Sequence, residues 1–122
     1  MSAVEIDARD LESGWATFLG GSVVPADSRL DRMGVDVIFD GTLHAQVKSS
    51  ITGAIDHLRQ KLSLLGRGRS VSWQAVLVGS PDGVTPDEVR ESIHRFGAWV
   101  PSDTPDRQRV LDGMAQMRRM FE

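Results

Sequence analysis

The sequence contains no cysteine and only two lysines, although it has twelve arginines. Without cysteine, the chain forms no disulfide bond and offers no thiolate to a zinc ion. No apolar run approaches the about eighteen residues that a membrane-spanning helix needs. The first residues carry neither a basic segment nor an apolar stretch typical of a secretory signal. We therefore expect a cytoplasmic protein that is not inserted in a membrane.

The remaining composition is that of an ordinary globular protein. The chain has 122 residues, of which 40% are hydrophobic and 25% charged, and this predicts a single domain with one compact core. The formal net charge is −3, whereas nucleic-acid binders generally carry a basic excess. Basic residues are nevertheless unevenly distributed, because residues 59–69 contain four of them and no acid.

Hydrophobic periodicity predicts an α/β sandwich with the element order αβββαβαβα and a mixed sheet of about five strands. The predicted helices lie at 8–19, 51–65, 86–96 and 104–121, and the predicted strands at 22–26, 35–39, 43–47, 73–78 and 98–100. Residues 8–100 would form the core of a single domain spanning 1–122. The apolar stripe of the last helix (104–121) would either cover the sheet or form a dimer seam, and we favour the seam.

The hairpin predicted around Asp40-Gly41 carries the most informative polar residues. Asp36 begins its first strand, and Gln46 and Lys48 lie two residues apart on the second. A carboxylate, an amide and an ammonium group in this arrangement can form a magnesium-and-lysine site that hydrolyses phosphodiesters. Lysine is scarce in this chain, and arginine cannot replace an amine that must give or take a proton. Individually, these residues are also typical of a strand-end aspartate and of the solvated face of an antiparallel strand.

The length of the hairpin loop decides whether these side chains share a face. A two-residue turn at Asp40-Gly41 would place Asp36 opposite Ala45, with Gln46 and Lys48 on the other face of the sheet, since a one-residue shift reverses every side chain. A site therefore requires an odd loop. We predict a three-residue turn with Gly41 in the left-handed region and a bulge.

The element order, together with Gly34-Val35-Asp36 and Gln46-Val47-Lys48, resembles the PD-(D/E)XK nuclease superfamily, which has the restriction-endonuclease-like fold. Within it the chain is most similar to Mrr-type endonucleases and archaeal-type Holliday-junction resolvases of the Gln-X-Lys branch. The resemblance covers about residues 8–100. It implies a Mg²⁺-dependent (or Mn²⁺-dependent) endonuclease acting on DNA in repair, recombination, restriction or a mobile element. It also implies a homodimer or a subunit of a larger assembly.

The resemblance also implies roles for individual residues. Asp36 would bind the metal, the Val47 carbonyl would complete its ligands, and Lys48 would be the catalytic lysine. Gln46 takes a position usually held by an acid. In the first helix, Glu12 is the best match for a further carboxylate, with Glu5 as a poorer substitute.

Contacts to the DNA backbone are expected from polar residues near this motif and in the basic segment, namely Ser49, Lys61, Arg67 and Arg69. Two other functions stay open. The chain would alternatively be a catalytically inactive module of the same fold that binds a partner, which the net charge and Gln46 favour. A weaker alternative is an unrelated small α/β binding protein. His44 shares the face of Gln46 and is interpreted as a surface residue. His57 and His94 are assigned no role, and Trp15, Trp73 and Trp99 are interpreted as core.

Overall fold

Alternating apolar residues form the strands of one mixed sheet in the computed structural model, which describes residues 8–71 and 73–120. The strands, in the order in which they lie in the sheet, are β1 (Ser22–Val23), β2 (Val37–Phe39), β3 (Leu43–Lys48), β4 (Ala75–Val78) and β5 (Ala98–Trp99). The pairs β1–β2 and β2–β3 are antiparallel, whereas β3–β4 and β4–β5 are parallel. All four residues of β4 are buried, as expected for a central strand covered on both faces.

Five helices occur in the described part of the chain: α1 (Ala8–Leu19), α2 (Arg29–Arg32), α3 (Ile51–Gly66), α4 (Pro86–Phe96) and α5 (Arg107–Arg119). The one-turn helix α2 was not predicted, because four residues are too few to show a periodic stripe. The Ser28 side chain caps it by accepting a hydrogen bond from the Asp31 N–H at 3.2 Å. None of these helices is both long and apolar enough to cross a membrane.

The helices predicted at 51–65 and 86–96 are confirmed as α3 and α4. Ser50 caps α3 by accepting a hydrogen bond from the Gly53 N–H at 3.2 Å. Thr85 and Glu88 form a capping box at α4, with a proline at the first helical position, and Gly97 ends the helix in the left-handed conformation.

The last helix differs from the prediction in its start and in its packing. It begins at Arg107 rather than Thr104, because Asp106 has a positive φ of 61° that an α-helix cannot accommodate. Val110, Met114 and Met117 are at most 1% exposed. This stripe therefore lies in the core of the chain's own fold, and the dimer seam that we favoured is wrong for these residues. Phe121 lies outside the described residues.

Two apolar clusters sandwich the sheet. Helices α1 and α4 pack on the face that carries Val37, Ala45 and Leu77. Helices α3 and α5 pack on the opposite face, against Val76 and Val78. Trp15 and Trp99 lie in the first cluster with ring centroids 5.3 Å apart, and Trp73 is half-buried where the two clusters meet.

The β2–β3 hairpin has the odd loop that a shared site requires. Phe39 pairs with Leu43 and Val37 with Ala45, so the loop consists of Asp40, Gly41 and Thr42. Asp40 and Gly41 have positive φ values of 49° and 84°. The prediction of a three-residue loop with a left-handed Gly41 is confirmed. Extending the register by one residue sets Asp36 opposite Gln46, on the α3 side of the sheet.

Candidate active site

Asp36 lies where β2 separates from β3. Its N–H donates to the Ala45 carbonyl and its carbonyl accepts from the Val24 N–H, both at 2.9 Å, so its backbone is held from two sides. Its carboxylate Oδ2 accepts a hydrogen bond from the Val47 N–H at 2.8 Å. The N–H and C=O of one residue leave an extended strand at the same edge. The Val47 carbonyl is therefore directed to the same gap as the Asp36 carboxylate.

Gln46 is 8% exposed and presents a polar atom without a partner. Its Oε1 is buried and accepts no hydrogen bond, whereas its Nε2 lies directly against the backbone of Gly34. Leaving such a buried acceptor unpaired costs about 1–3 kcal/mol. The amide oxygen is therefore available to a donor or a cation that enters the site.

Glu12 reaches Asp36 from α1, the helix on the other side of the sheet. The two side chains are close enough to hydrogen-bond, so a second carboxyl group lies beside Asp36. Burial raises the pKa of Asp36 above its ordinary value. The Val47 N–H, the charge of Lys48 and the hydrogen bond from Glu12 oppose that rise, whereas the charge of Asp31 adds to it. Glu5 lies outside the described residues.

Lys48 ends β3 on the same face as Gln46, and its charge acts on both Asp36 and the buried His57 of α3. Burial, and then the charges of Lys61 and Lys48, lowers the pKa of His57 to about 4, so its imidazole is neutral at physiological pH. The His57 Nε2 is buried without a hydrogen-bond partner. The sequence did not identify His57, because its position on the inner side of α3 depends on how α3 packs against β3.

The donor atoms of this site fit a hard divalent cation such as Mg²⁺ or Mn²⁺. Two adjacent carboxyl groups (Glu12 and Asp36), the Val47 carbonyl and the unpaired Gln46 Oε1 are oxygen ligands of the kind that Mg²⁺ prefers. In residues 8–71 and 73–120, no group of three or more His, Cys, Asp or Glu side chains is placed to hold a metal ion. Binding would therefore depend on the amide and carbonyl oxygens and on a substrate phosphate.

The residues predicted to contact DNA are dispersed. Ser49 is exposed directly after Lys48, whereas Arg67 and Arg69 are exposed beyond the other end of α3. A 16-residue helix separates these two ends by roughly 24 Å. Lys61 is half-buried and donates from Nζ to the Gln74 Oε1 at 3.0 Å. His44 is half-buried on β3, the strand that carries Gln46 and Lys48.

Comparison with models of protein families, with curated proteins and with solved structures gave no significant match.

We predict that Gly34→Ala disturbs the site more than its effect on stability would suggest. Gly34 has a φ of 90°, so an alanine costs about 1–2 kcal/mol in the left-handed region. Its Cβ would also collide with the Gln46 Nε2 and displace the amide. The matched control is Gly20→Ala, at φ 69° with no atom within 4 Å of the added carbon. Both variants should lose the stability that an alanine costs in the left-handed region, with a further loss in Gly34→Ala from the displaced amide, and only Gly34→Ala should impair the proposed DNA cleavage. Equal activity of the two variants would contradict this prediction.

Proposed function

We propose that the protein is a Mg²⁺-dependent endonuclease that hydrolyses phosphodiester bonds in DNA. The observation that carries this proposal is the hairpin register, which sets Asp36 opposite Gln46 and on the face of Lys48. A two-residue turn would have separated these groups. Glu12 independently supports the proposal, because it approaches the same carboxylate from a different helix.

The architecture supports an assignment to the PD-(D/E)XK superfamily. The observed order of elements agrees with the order expected from the resemblance, apart from the additional one-turn helix α2. The mixed five-stranded sheet between helices on both faces is compatible with a restriction-endonuclease-like fold. An Mrr-type or resolvase-like enzyme is the subgroup that the Gln-X-Lys motif favours.

Four residues of the site have a part in hydrolysis. The water oxygen bonds to phosphorus, the bond to the leaving oxygen breaks, and a proton passes to that oxygen. When bound, Mg²⁺ would neutralise phosphate charge and make water a better nucleophile. Asp36 and Glu12 would hold the cation, and the Val47 N–H fixes the Asp36 carboxylate. Lys48 would stabilise the developing negative charge and take part in proton transfer.

DNA bound at the site would extend along the exposed surface of α3. Arg59, Arg67 and Arg69 are exposed on or just beyond this helix, and Ser49 lies beside its first turn. A duplex contacting both ends of α3 would span about seven base pairs. These arginines would neutralise phosphates distant from the scissile bond, which offsets part of the net charge of −3.

The proposal is tested with supercoiled plasmid and branched DNA substrates. Purified protein is incubated with Mg²⁺, with Mn²⁺, or with a chelator, and the products are separated by electrophoresis. We expect nicked or linear products with either metal and none with the chelator. Intact DNA under all metal conditions, from a folded protein that binds DNA, would reject catalysis.

That rejecting result would support a second candidate, an inactive module of the same fold that binds a partner. The observations that favour it are the replacement of an acid by Gln46 and the position of Arg67 and Arg69 far from Lys48. A homodimer or a larger assembly that supplies positive charge is compatible with both candidates. The two candidates are distinguished by metal-dependent cleavage, which only the endonuclease would show.

A further inference from the structure

A buried glutamine connects the candidate site to the sheet. Gln74 immediately precedes β4 and is 1% exposed. Its Nε2 donates to the carbonyl of Met33 at 3.1 Å, across 41 residues of sequence, and its Oε1 accepts from the Lys61 Nζ at 3.0 Å. Both ends of one side-chain amide are therefore engaged, one by α3 and one by the segment that leads into Asp36.

Lys61 determines which way the Gln74 amide faces. An ammonium group can only donate hydrogen bonds, so it must take the Oε1 of the amide. The NH₂ group, which can only donate, is then left to the Met33 carbonyl. Without Lys61, this constraint on the amide is lost, and an amide rotated by 180° would set its oxygen against that carbonyl.

The segment that Gln74 holds positions two groups of the candidate site. Gly34, the residue after Met33, lies against the Gln46 Nε2, and Asp36 follows two residues later. The backbone N–H groups of Gly34 and Val35 return to Asp31 and Leu30 in the region of α2, at 2.9 and 3.0 Å. Those bonds fix the segment to α2, whereas the hydrogen bond from Gln74 fixes it to the N-terminal end of β4.

We infer that Gln74 and Lys61 are positioning residues that hold residues 33–35 so that Asp36 and Gln46 keep their places in the candidate site. The catalytic consequence rests on the proposed function, whereas the positioning itself is a property of the fold. The two lysines of the chain, Lys48 and Lys61, lie close enough for their charges to interact. Both therefore belong to the region of the candidate site. Lys61 thereby acts inside the fold rather than as a DNA contact.

The test uses Gln74→Glu, which keeps the size of the side chain and its bond to Lys61 but sets a carboxylate oxygen against the Met33 carbonyl. The readout is hydrogen exchange at the Val47 N–H, which reports the position of the Asp36 carboxylate. We expect this amide to exchange about tenfold faster in the variant. The Val76 N–H, bonded to the Gly97 carbonyl, should keep its protection. Gln60→Glu, on the exposed side of α3, is the control with the same change of charge and should alter neither amide.

Gln74→Met provides a second variant that removes both hydrogen bonds without adding a charge. Unchanged exchange at Val47 in either folded variant would overturn the inference. Loss of protection at Val76 in both variants would also overturn it, because Gln74 would then maintain the fold as a whole. Cleavage is measured separately, and kcat should fall about tenfold in Gln74→Glu with KM for DNA unchanged. A wild-type chain that does not cleave rejects the proposed function, and the exchange result then decides the positioning role by itself.

Discussion

Replacement of Asp36 by asparagine is expected to reduce metal-dependent DNA cleavage by at least about a thousandfold, which corresponds to roughly 4 kcal/mol of transition-state stabilisation. Asparagine keeps the shape of the side chain and can still accept the hydrogen bond from the Val47 N–H. It removes the charge that would attract a divalent cation. The measurement is the initial rate of plasmid nicking at saturating Mg²⁺. Asp31→Asn, at an exposed carboxylate that also acts on Asp36, is the control and should retain activity.

The same variant should be more stable than the wild type at neutral pH. Burial raises the pKa of Asp36 in the folded state, so ionising this carboxyl weakens folding. The stabilising contribution of Asp36 is complete below its ordinary pKa of 3.8 and is lost as the pH rises through the folded-state pKa. The advantage of Asp36→Asn should accordingly appear above that pKa and disappear below pH 3.8. Thermal unfolding of both proteins between pH 3 and pH 8 measures this difference.

His57 does not obscure the comparison. Its pKa is lowered to about 4, so its contribution is present above its ordinary value of 6.5 and is lost as the pH falls through about 4. Both proteins carry His57, and the difference between them therefore isolates Asp36. A variant that is less stable than the wild type at neutral pH would show that Asp36 serves the fold, as a strand-end aspartate would.

Replacement of Lys48 by arginine should lower cleavage by about a hundredfold or more, although the positive charge is retained. Arginine stays protonated and cannot transfer a proton near neutral pH, and its planar group is larger than an ammonium group. DNA affinity, measured by fluorescence anisotropy without metal, should change little. The reciprocal exchange Arg67→Lys, at the far end of α3, should leave the rate unchanged. Full activity of Lys48→Arg would exclude proton transfer by this side chain.

Much of the fold was predictable because its signals are local. The stripe of α1, the capping box at Thr85 and the apolar run that becomes β4 each depend on neighbouring residues. One helix was missed and another begins later than predicted, for local reasons as well. Helix α2 is a single turn, and the start of α5 is delayed by a left-handed Asp106. The stripe of α5 was correctly identified as apolar, but only the packing shows that it contacts α3 and the sheet.

Some residues of the candidate site were likewise predictable from local signals, and others were not. Asp36, Gln46 and Lys48 could be selected from their spacing because a strand alternates with a period of two and a hairpin loop sets the register. The sequence by itself thus determined the strands and the alternation of their side chains, whereas the observed register established the odd loop and the shared face. Only the tertiary structure brought Glu12 of α1 to Asp36. It also brought His57 and Lys61 of α3, and Gln74 at the start of β4, into the same region. These contacts join residues that are distant in sequence, and they depend on how helices on both faces pack against the sheet, which no local pattern specifies.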